Sequence, residues 1–368
     1  MLNDFGDRPA GALNTADVGA YTFETGGQLP EVTIAYETWG TLNEDGSNAI
    51  LVAHALTGDS HVAATPADPS IGWWEGLLGP GRPIDTQRWF VIAPAMVGGC
   101  YGSTGPASLD PDGKPYGSRF PFVTIRDSVH LEARLAAALG IKTFHTVIGG
   151  SMGGARALEW AATYPEMVDG VAVFACGAAS TAEQIAFGQA QVLAVENDPY
   201  FAGGDYYGGP APHSGLGLAR RIAHITYRAE AELGARFGRA PQGAEDPFGW
   251  PDRRRGRYQV ESYLDHQAEK LLKRFDPNAY VVLSEALMSH DVGRGRGGVA
   301  EALSSVTAVP FLAAVETDRL YFPEQSQQIA DAIPGGHPVH TIHSPIGHDG
   351  FLTSAEQLSE PMKATLRL

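Results

Sequence analysis

The chain has 368 residues, of which 43% are hydrophobic and 18% charged, enough for a large core in one domain with insertions or in two domains. The formal net charge of −16 disfavours nucleic acid and anionic membranes as partners and favours small molecules. No stretch approaches the roughly 18 apolar residues of a membrane span, and MLNDFGDRPA at the start lacks the features of a secretory signal. Two cysteines, Cys100 and Cys176, make neither a disulfide framework nor a zinc site, so we expect no bound metal and a cytoplasmic location.

Short apolar segments rich in β-formers alternate with helical patterns along much of the chain. The predicted strands are 32–40, 48–56, 88–96, 143–149, 168–176, 309–318 and 337–343. Helical patterns at 126–140 and 154–165 separate three of them. This alternation predicts an α/β fold with a mostly parallel sheet.

Residues 177–298 differ from the rest, because convincing strands are few there. Gly/Pro-rich breaks bound several helical stretches, which are 180–197, 215–233, 261–275 and 279–290. We therefore predict one α/β core, made of residues 1–176 and 299–368, with a helical insertion at 177–298.

The most informative motif is Gly149-Gly150-Ser151-Met152-Gly153, which matches G-x-S-x-G. In a sharp strand-to-helix turn, the residues two before and two after the serine must be small. The pattern alone is weak in a chain with 45 glycines, but here a predicted strand precedes it and a helical pattern follows at once. This context predicts a nucleophile elbow with Ser151 as the nucleophile.

A competing match with cysteine is Gly98-Gly99-Cys100-Tyr101-Gly102. It also follows a predicted strand, but the next residues form a loop rich in Gly, Pro and Ser. Without a helix there is no elbow, so we interpret Cys100 as a loop cysteine packed near the site.

A serine nucleophile needs a base and an acid, which follow it in the chain order Ser, Asp/Glu, His in this class of fold. Among the late histidines, His348 lies in a glycine-bounded loop beyond the last predicted strand, and we predict it as the base. The others, His337, His340 and His343, belong to that strand or its edge. For the acid, alternation places Glu316 and Asp318 on one strand face, and the loop position favours Asp318.

Tetrahedral intermediates also need an oxyanion hole. We expect one donor to be the N–H of Met152, which follows the nucleophile. The second is expected from the loop AHALTGDSH (53–61), where Leu56 or Thr57 can supply a backbone N–H.

Nearly the whole chain resembles the homoserine O-acyltransferases, specifically the α/β-hydrolase-fold homoserine O-acetyltransferases of methionine biosynthesis. The resemblance is carried, in chain order, by AYETWGTLN, HALTGDSH, GGCYGSTGP, KPYGSRFP, TIRDSVHLE, VIGGSMGGARALEWA, ARRIAHITYRAE, VESYLDHQAEKLLKRFDPNAY, ETDRLYFP and GHDGFL. It implies a ping-pong transfer in which Ser151 takes the acetyl group of acetyl-CoA and passes it to the hydroxyl of L-homoserine. Acetyl-CoA is then a co-substrate, with no permanently bound cofactor.

The resemblance also implies the residues that bind the acceptor. Arg220 and Tyr227 match the arginine and tyrosine that hold the amino acid's carboxylate, and Asp349 matches the acidic residue that contacts its amine. A spacing of seven puts Arg220 and Tyr227 on one helix face. Arg221 and Arg228 share that spacing, so the assignment depends on the family match.

In the family the insertion forms a lid over a deep tunnel and pairs with a second lid in a homodimer. Such a tunnel excludes water, which would otherwise hydrolyse the acyl-enzyme. Tyr101 departs from the usual pattern, where a more polar residue is expected, and could narrow the acyl or CoA entrance. A basic run, Arg253–Arg257, is interpreted as a solvated surface turn.

Three alternatives remain open. The same chemistry could use succinyl-CoA as donor or L-serine as acceptor. G-x-S-x-G with Asp and His also fits a serine ester hydrolase, although such an enzyme needs neither Arg220 nor Asp349. A non-catalytic binding protein of the same fold would be expected to lack one of Ser151, Asp318 and His348, and none is missing.

Overall fold

A computed structural model describes residues 13–249 and 255–368. Its centre is one eight-stranded sheet. The strands are β1 Asn14–Asp17, β2 Thr33–Trp39, β3 Ala49–Ala53, β4 Phe90–Pro94, β5 Phe144–Gly150, β6 Gly170–Phe174, β7 Val309–Val315 and β8 Val339–Ile342. Their order in the sheet is β1-β2-β4-β3-β5-β6-β7-β8. The strands β1 and β4 each pair antiparallel with β2, and all other neighbours pair parallel. The mostly parallel α/β sheet is thereby confirmed.

The central strands are buried on both faces. Every residue of β3 (AILVA) and β6 (GVAVF) is buried, which is why their sequences are apolar without alternation. Two short ribbons lie outside this sheet; they pair Tyr21–Thr22 with Gln28–Leu29 and Leu78–Gly79 with Ile84–Asp85.

Eleven α-helices are assigned within the described residues. They are α1 Ile125–Ala138, α2 Met152–Thr163, α3 Ala182–Glu196, α4 His213–Tyr227, α5 Glu230–Phe237, α6 Gln259–Leu272, α7 Pro277–Met288, α8 Val299–Ser304, α9 Pro323–Ala332, α10 Gly350–Thr353 and α11 Ser359–Leu366. Residues 177–298, which the sequence predicts to be an insertion and which are called the inserted segment below, contain α3 to α7. Within them α4 packs on both α3 and α6.

The helix predicted over 215–233 is in fact two helices. Arg228 adopts an extended conformation (ψ 138°) and ends α4. The N–H of Ala229 then donates to the carbonyl of Ile346 over 2.9 Å, and the Arg228 guanidinium lies 3.4 Å from the Asp349 carboxylate. Tertiary contacts with the loop at 346–349 therefore interrupt a pattern that is locally helical.

Candidate active site

Ser151 stands at a strained turn between β5 and α2. Its φ of 57° lies in the left-handed region, which costs a non-glycine residue about 1–3 kcal/mol. The space around it is too small for side chains at the flanking glycines. A Cβ on Gly149 would lie 2.3 Å from the carbonyl carbon of Gly153, and one on Gly153 would lie 2.1 Å from the Ala53 oxygen. The glycines of the motif are thus required by close backbone approach.

Three side chains that lie far apart in sequence form one chain of hydrogen bonds here. Ser151 Oγ lies 2.9 Å from His348 Nε2, and His348 Nδ1 lies 2.6 Å from Asp318 Oδ2. The Asp318 carboxylate accepts the Nδ1 proton, which leaves Nε2 free to accept the serine hydroxyl. All three are buried, with exposures of 6%, 2% and 3%.

The carboxylate of Asp318 is itself held by backbone donors. Its Oδ1 accepts the N–H groups of Leu320 at 2.8 Å and Tyr321 at 2.9 Å. These two bonds orient the carboxylate, so that its other oxygen faces His348. The imidazole is thereby held in one orientation against the serine.

The protonation of His348 is set by opposing effects. Burial disfavours the imidazolium, but the carboxylates of Asp318 and Asp349 outweigh it, so the pKa of His348 is raised above that of free imidazole. An imidazole with a raised pKa is a stronger base towards a hydroxyl proton.

The competing acid and histidines lie elsewhere. Glu316 Oε2 lies 2.9 Å from His343 Nδ1, and both side chains are well exposed. His337 contacts the Pro334 carbonyl, and the ring of His340 stacks on Phe311. The structure thus separates Asp318 from Glu316, which strand alternation left together.

Cys100 lies in a loop, and residues 101–116 contain no helix. Its thiol is buried, and this burial raises the pKa of the thiol. A thiol held in its neutral form is a poor nucleophile, in keeping with its interpretation as a packed loop cysteine.

The loop after β3 lies beside Ser151, and two arginines of the inserted segment hold it. Arg274 Nη1 donates to the carbonyl of Thr57 at 2.8 Å, and Arg220 Nη1 donates to the Thr57 hydroxyl at 3.2 Å. No acceptor for the Leu56 N–H is found within the described parts of the chain. Met152 is the first residue of α2, where an N–H has no partner inside its own helix.

A cavity of about 700 Å³, called the charged cavity below, opens beside Ser151 and His348. The Arg and Asp side chains in its lining are Arg220, Arg274 and Asp349. The Nε of Arg220 is buried without an acceptor among the described residues. Burial raises the pKa of Asp349, although Arg228, His348 and Arg220 oppose the shift.

The structure brings Arg220 and Tyr227 together on α4, with the guanidinium 5.8 Å from the ring centre. Arg221, which shares the spacing, does not line this cavity; it pairs with Asp265 at 2.7 Å on the partly exposed side of the helix. Arg228 pairs with Asp349. The three arginines that the sequence left equivalent therefore have different surroundings.

A second cavity of about 520 Å³, called the uncharged cavity, lies against Ser151 between α3 and α7. None of its lining residues is Asp, Glu, Lys or Arg, and His348 does not line it. Leu56, Ser151 and Tyr227 belong to the walls of both cavities. The nucleophile thus lies where two chemically different cavities meet.

Two residues near the site have contacts that the sequence did not indicate. Arg274 lines the charged cavity, and the Tyr101 hydroxyl accepts from it at 2.5 Å. Tyr101 lines neither cavity, so the expectation that it narrows an entrance is not supported. Thr57 and Tyr101 lie more than 170 residues from Arg274, so no local pattern could reveal these contacts.

The basic run at 253–257 lies partly outside the described residues, which exclude Arg253 and Arg254. Arg255 pairs with Glu261, and Arg257 with Glu245 and Asp265, in half-exposed ion pairs. Within residues 13–249 and 255–368, no cluster of three or more His, Cys, Asp or Glu side chains could hold a metal ion. No helix in this part of the chain has the length and apolar character to cross a membrane.

Comparison with known proteins adds relatives in two reaction classes. The alpha/beta hydrolase fold family matches residues 48–354. The homoserine O-acetyltransferase of Thermobifida fusca (strain YX) is 58% identical over 347 residues, which cover 93% of this chain and 90% of that protein. The crystal structure of homoserine O-acetyltransferase from Bacillus anthracis has a TM-score of 0.89 at 28% identity and covers 97% of both chains. Esterase E22 also has a TM-score of 0.89 at 28% identity, covering 96% of this chain and 99% of its own.

Proposed function

Because the chain belongs to the homoserine O-acetyltransferases of the α/β-hydrolase fold family, we propose that it transfers the acetyl group of acetyl-CoA to the hydroxyl of L-homoserine. One structural observation supports this proposal independently of the family membership. The charged cavity places a cation, Arg220, and an anion, Asp349, beside Ser151 and His348. A zwitterionic acceptor needs one of each.

In the first half-reaction Ser151 is the nucleophile. Its Oγ attacks the thioester carbonyl of acetyl-CoA while His348 Nε2 takes the hydroxyl proton. Asp318 stabilises the imidazolium that forms, as the 2.6 Å contact permits. The C–S bond then breaks, the sulfur takes the proton from Nε2, and CoA leaves as the free thiol.

In the second half-reaction homoserine occupies the charged cavity. Arg220, with Tyr227 beside it, binds the carboxylate and Asp349 binds the amine. His348 Nε2 removes the proton from the acceptor hydroxyl, which attacks the acetyl-serine carbonyl. The proton then returns to Ser151 Oγ as O-acetylhomoserine forms.

The negative charge on the carbonyl oxygen develops next to two backbone donors in this proposal. Met152 supplies an N–H at the positive end of α2, and Leu56 supplies the second from the loop that Arg274 and Arg220 hold. Of the two candidates in that loop, Leu56 is favoured because it lines both cavities. Fixed donors of this kind stabilise the oxyanion without reorganising during the reaction.

The inserted segment acts as a lid in this account and also as a dimer interface. Ile185 and Leu193 on α3 are 40% and 43% exposed, and Leu218 and Ile225 on α4 are 50% and 44% exposed. Each pair lies on one helix face, so the outer surface of the two packed helices is apolar. A second copy of the chain would cover this surface in a homodimer. Both cysteines are free and buried, which is compatible with the cytoplasmic location we propose.

The second candidate function is ester hydrolysis, which the close backbone match to esterase E22 favours. Water would then replace homoserine as the acceptor. A hydrolase has no need for the partly buried Arg220 and Asp349 beside the base, which is why we favour the transferase.

Free-thiol release from acetyl-CoA, measured with and without L-homoserine, separates these functions. Without homoserine we expect release to stop after the single equivalent of thiol that accompanies acetylation of Ser151. With homoserine we expect sustained release over many turnovers, with O-acetylhomoserine as the product. Equal release without homoserine, together with hydrolysis of simple acetyl esters, would assign the chain to the esterases.

A further inference from the structure

The two cavities that meet at Ser151 differ in one feature of direct chemical consequence, which is access to the base. His348 lines the charged cavity but not the uncharged one. The charged cavity also holds all the His, Asp and Arg side chains that line either space. A group that must exchange a proton with His348 therefore has to react from the charged cavity.

A tetrahedral acyl intermediate on Ser151 has four substituents, and three of their directions follow from the site. The first is Oγ of Ser151 itself. The oxyanion points to the backbone donors, and the leaving sulfur or attacking oxygen points to His348 in the charged cavity. The fourth substituent is the acyl chain, and the uncharged cavity is the space that remains open beside Ser151 for it.

We propose that the uncharged cavity is the acyl pocket and that it accepts short, unbranched, uncharged acyl groups longer than acetyl. This inference rests on the proposed function, since it assumes an acyl-Ser151 intermediate. The lining of this cavity extends along two turns of α3, from Gln184 to Gln191, a distance of about 10 Å. This exceeds the length of an acetyl group, so we expect propionyl and butyryl groups to enter the same pocket.

The polar groups of this pocket are largely occupied by the protein itself. Gln184 bonds to Leu320 and Gln325, Gln191 accepts from Tyr280, and Ser180 donates to the Leu287 carbonyl. Ser284 Oγ is buried without a partner among the described residues. A succinyl chain would place a carboxylate among uncharged hydroxyl and amide groups, with no Arg or Lys in the lining to pair with it. Burial of an unpaired charge is strongly unfavourable, so we expect succinyl-CoA to be excluded.

Met288, the last residue of α7, lines the pocket. Its side chain lies directly over Gly188, where an added Cβ would be 2.6 Å from Met288 Cγ and Sδ. The glycine therefore lets α3 and α7 approach closely, and a larger side chain at position 288 would reduce the volume of the pocket.

Every acyl-CoA in the series would react with Ser151 through the same changes in bonding. Ser151 Oγ forms a bond to the acyl carbon, the C–S bond breaks, and the serine proton passes through His348 Nε2 to the departing sulfur. The products are acyl-Ser151 and free CoA thiol, and no other reactant is required.

Acetyl-, propionyl-, butyryl- and succinyl-CoA, each mixed with the enzyme without homoserine, test the proposal. First-turnover thiol release and the intact mass of the protein report acylation of Ser151. We expect the three uncharged donors to react within about tenfold of one another and succinyl-CoA to be at least about a hundredfold slower. Acylation by succinyl-CoA at least as fast as by butyryl-CoA would overturn the proposal.

Met288 variants identify the cavity itself. Met288→Trp should slow butyryl-CoA by about tenfold or more relative to acetyl-CoA, because it fills the pocket. Met288→Leu conserves volume and should keep the donor order. If Met288→Trp does not fold, Met288→Ala should instead favour butyryl-CoA over acetyl-CoA. If the relative rates of acylation by butyryl-CoA and acetyl-CoA do not change in these variants, the uncharged cavity is not the acyl pocket.

The proposed function is tested separately. Failure of acetyl-Ser151 to pass its acetyl group to homoserine would refute the proposed function, but the rates of acylation by the four donors could still be compared.

Discussion

Arg274, just beyond the end of α6, donates a hydrogen bond of 2.8 Å to the backbone carbonyl of Thr57 in the loop after β3. The same nitrogen donates to the Tyr101 hydroxyl at 2.5 Å. An arginine of the inserted segment thereby holds the loop that carries the proposed Leu56 donor. The position of Arg274 and the position of the proposed Leu56 donor are thus linked by a direct hydrogen bond to the neighbouring residue.

Arg274→Met should lower kcat for acetylation by about 10–100-fold, because a displaced oxyanion donor costs up to roughly 10³-fold. The matched control is Tyr101→Phe, which removes a partner of Arg274 but leaves its bond to Thr57, and we expect a loss within about threefold. Single-turnover thiol release measures both. An Arg274→Met enzyme with unchanged kcat would show that this bond does not support catalysis.

Arg220→Met should raise KM for homoserine by about 10–100-fold, as expected for loss of a hydrogen bond to a charged group. Arg221→Met is the control, because Arg221 lies on the other side of α4 and pairs with Asp265. The KM of the Arg221→Met variant for homoserine should stay within about twofold of that of the unaltered enzyme. Steady-state kinetics over homoserine concentration decide this, and equal effects of both substitutions would remove Arg220 from the acceptor site.

The affinity for homoserine should fall in acid. Burial raises the pKa of the Asp349 carboxyl, in spite of the neighbouring Arg228, His348 and Arg220. Since only the ionised form binds an ammonium group well, KM for homoserine should rise as the pH falls through this raised pKa. Asp349→Asn should have a high KM whose dependence on pH is lost on the acid side. If its pH profile matches that of the unaltered enzyme, Asp349 does not bind the amine.

Acetylation of Ser151 should require the unprotonated form of His348, which acts as a base. The imidazole must be neutral to take the serine proton, so the rate should rise with pH through the raised pKa of His348. Asp318→Asn removes a carboxylate that raises this pKa. We expect its acid limb to move to lower pH and its rate to fall by roughly 10³–10⁴-fold.

Glu316→Gln is the control for that substitution, since Glu316 pairs with the exposed His343. Its pH–rate profile should be unchanged. A larger loss in Glu316→Gln than in Asp318→Asn would assign the acid to Glu316.

Substitution of Ser151 should separate activity from stability. Ser151→Ala and Ser151→Gly should both lose roughly 10⁴–10⁶-fold in kcat. Ser151→Gly should also unfold at a higher temperature than Ser151→Ala, because glycine adopts a φ of 57° without the penalty that alanine has. Calorimetry of the two variants measures the difference, and a less stable Ser151→Gly would contradict the strain at the elbow.

The core strands could be predicted from sequence because their physics is local. Strands such as β3 and β6 are buried on both faces and therefore read as unbroken apolar runs. The edge strand β1 has the sequence NTAD and a largely exposed pattern, so it offers no apolar signal. This segment is a strand because its backbone pairs with β2, which the sequence of the segment itself does not indicate.

The residues of the candidate site also fall into two groups, those that a local sequence pattern indicates and those that it does not. Ser151 and His348 could be selected as candidates from the sequence because each lies in a glycine-rich turn that follows a predicted strand. Strand alternation predicted that Asp318 and Glu316 lie on one face, but β7 ends at Val315, before both residues. Arg220 and Arg221 are each followed, seven positions later, by a residue that could be the partner. In both cases only the direction of the side chains in space separates the candidates. The contact of Arg274 with Thr57 joins residues 217 positions apart, beyond the reach of any local pattern.

The most direct test follows the fate of the acetyl group on Ser151. Enzyme is mixed with acetyl-CoA alone, its intact mass and its Ser151 peptide are measured, and L-homoserine or buffer is then added. We predict that Ser151 carries one acetyl group, that homoserine removes it as O-acetylhomoserine, and that buffer removes it far more slowly. Loss of the acetyl group to water as fast as to homoserine, or acetylation at a residue other than Ser151, would contradict the account.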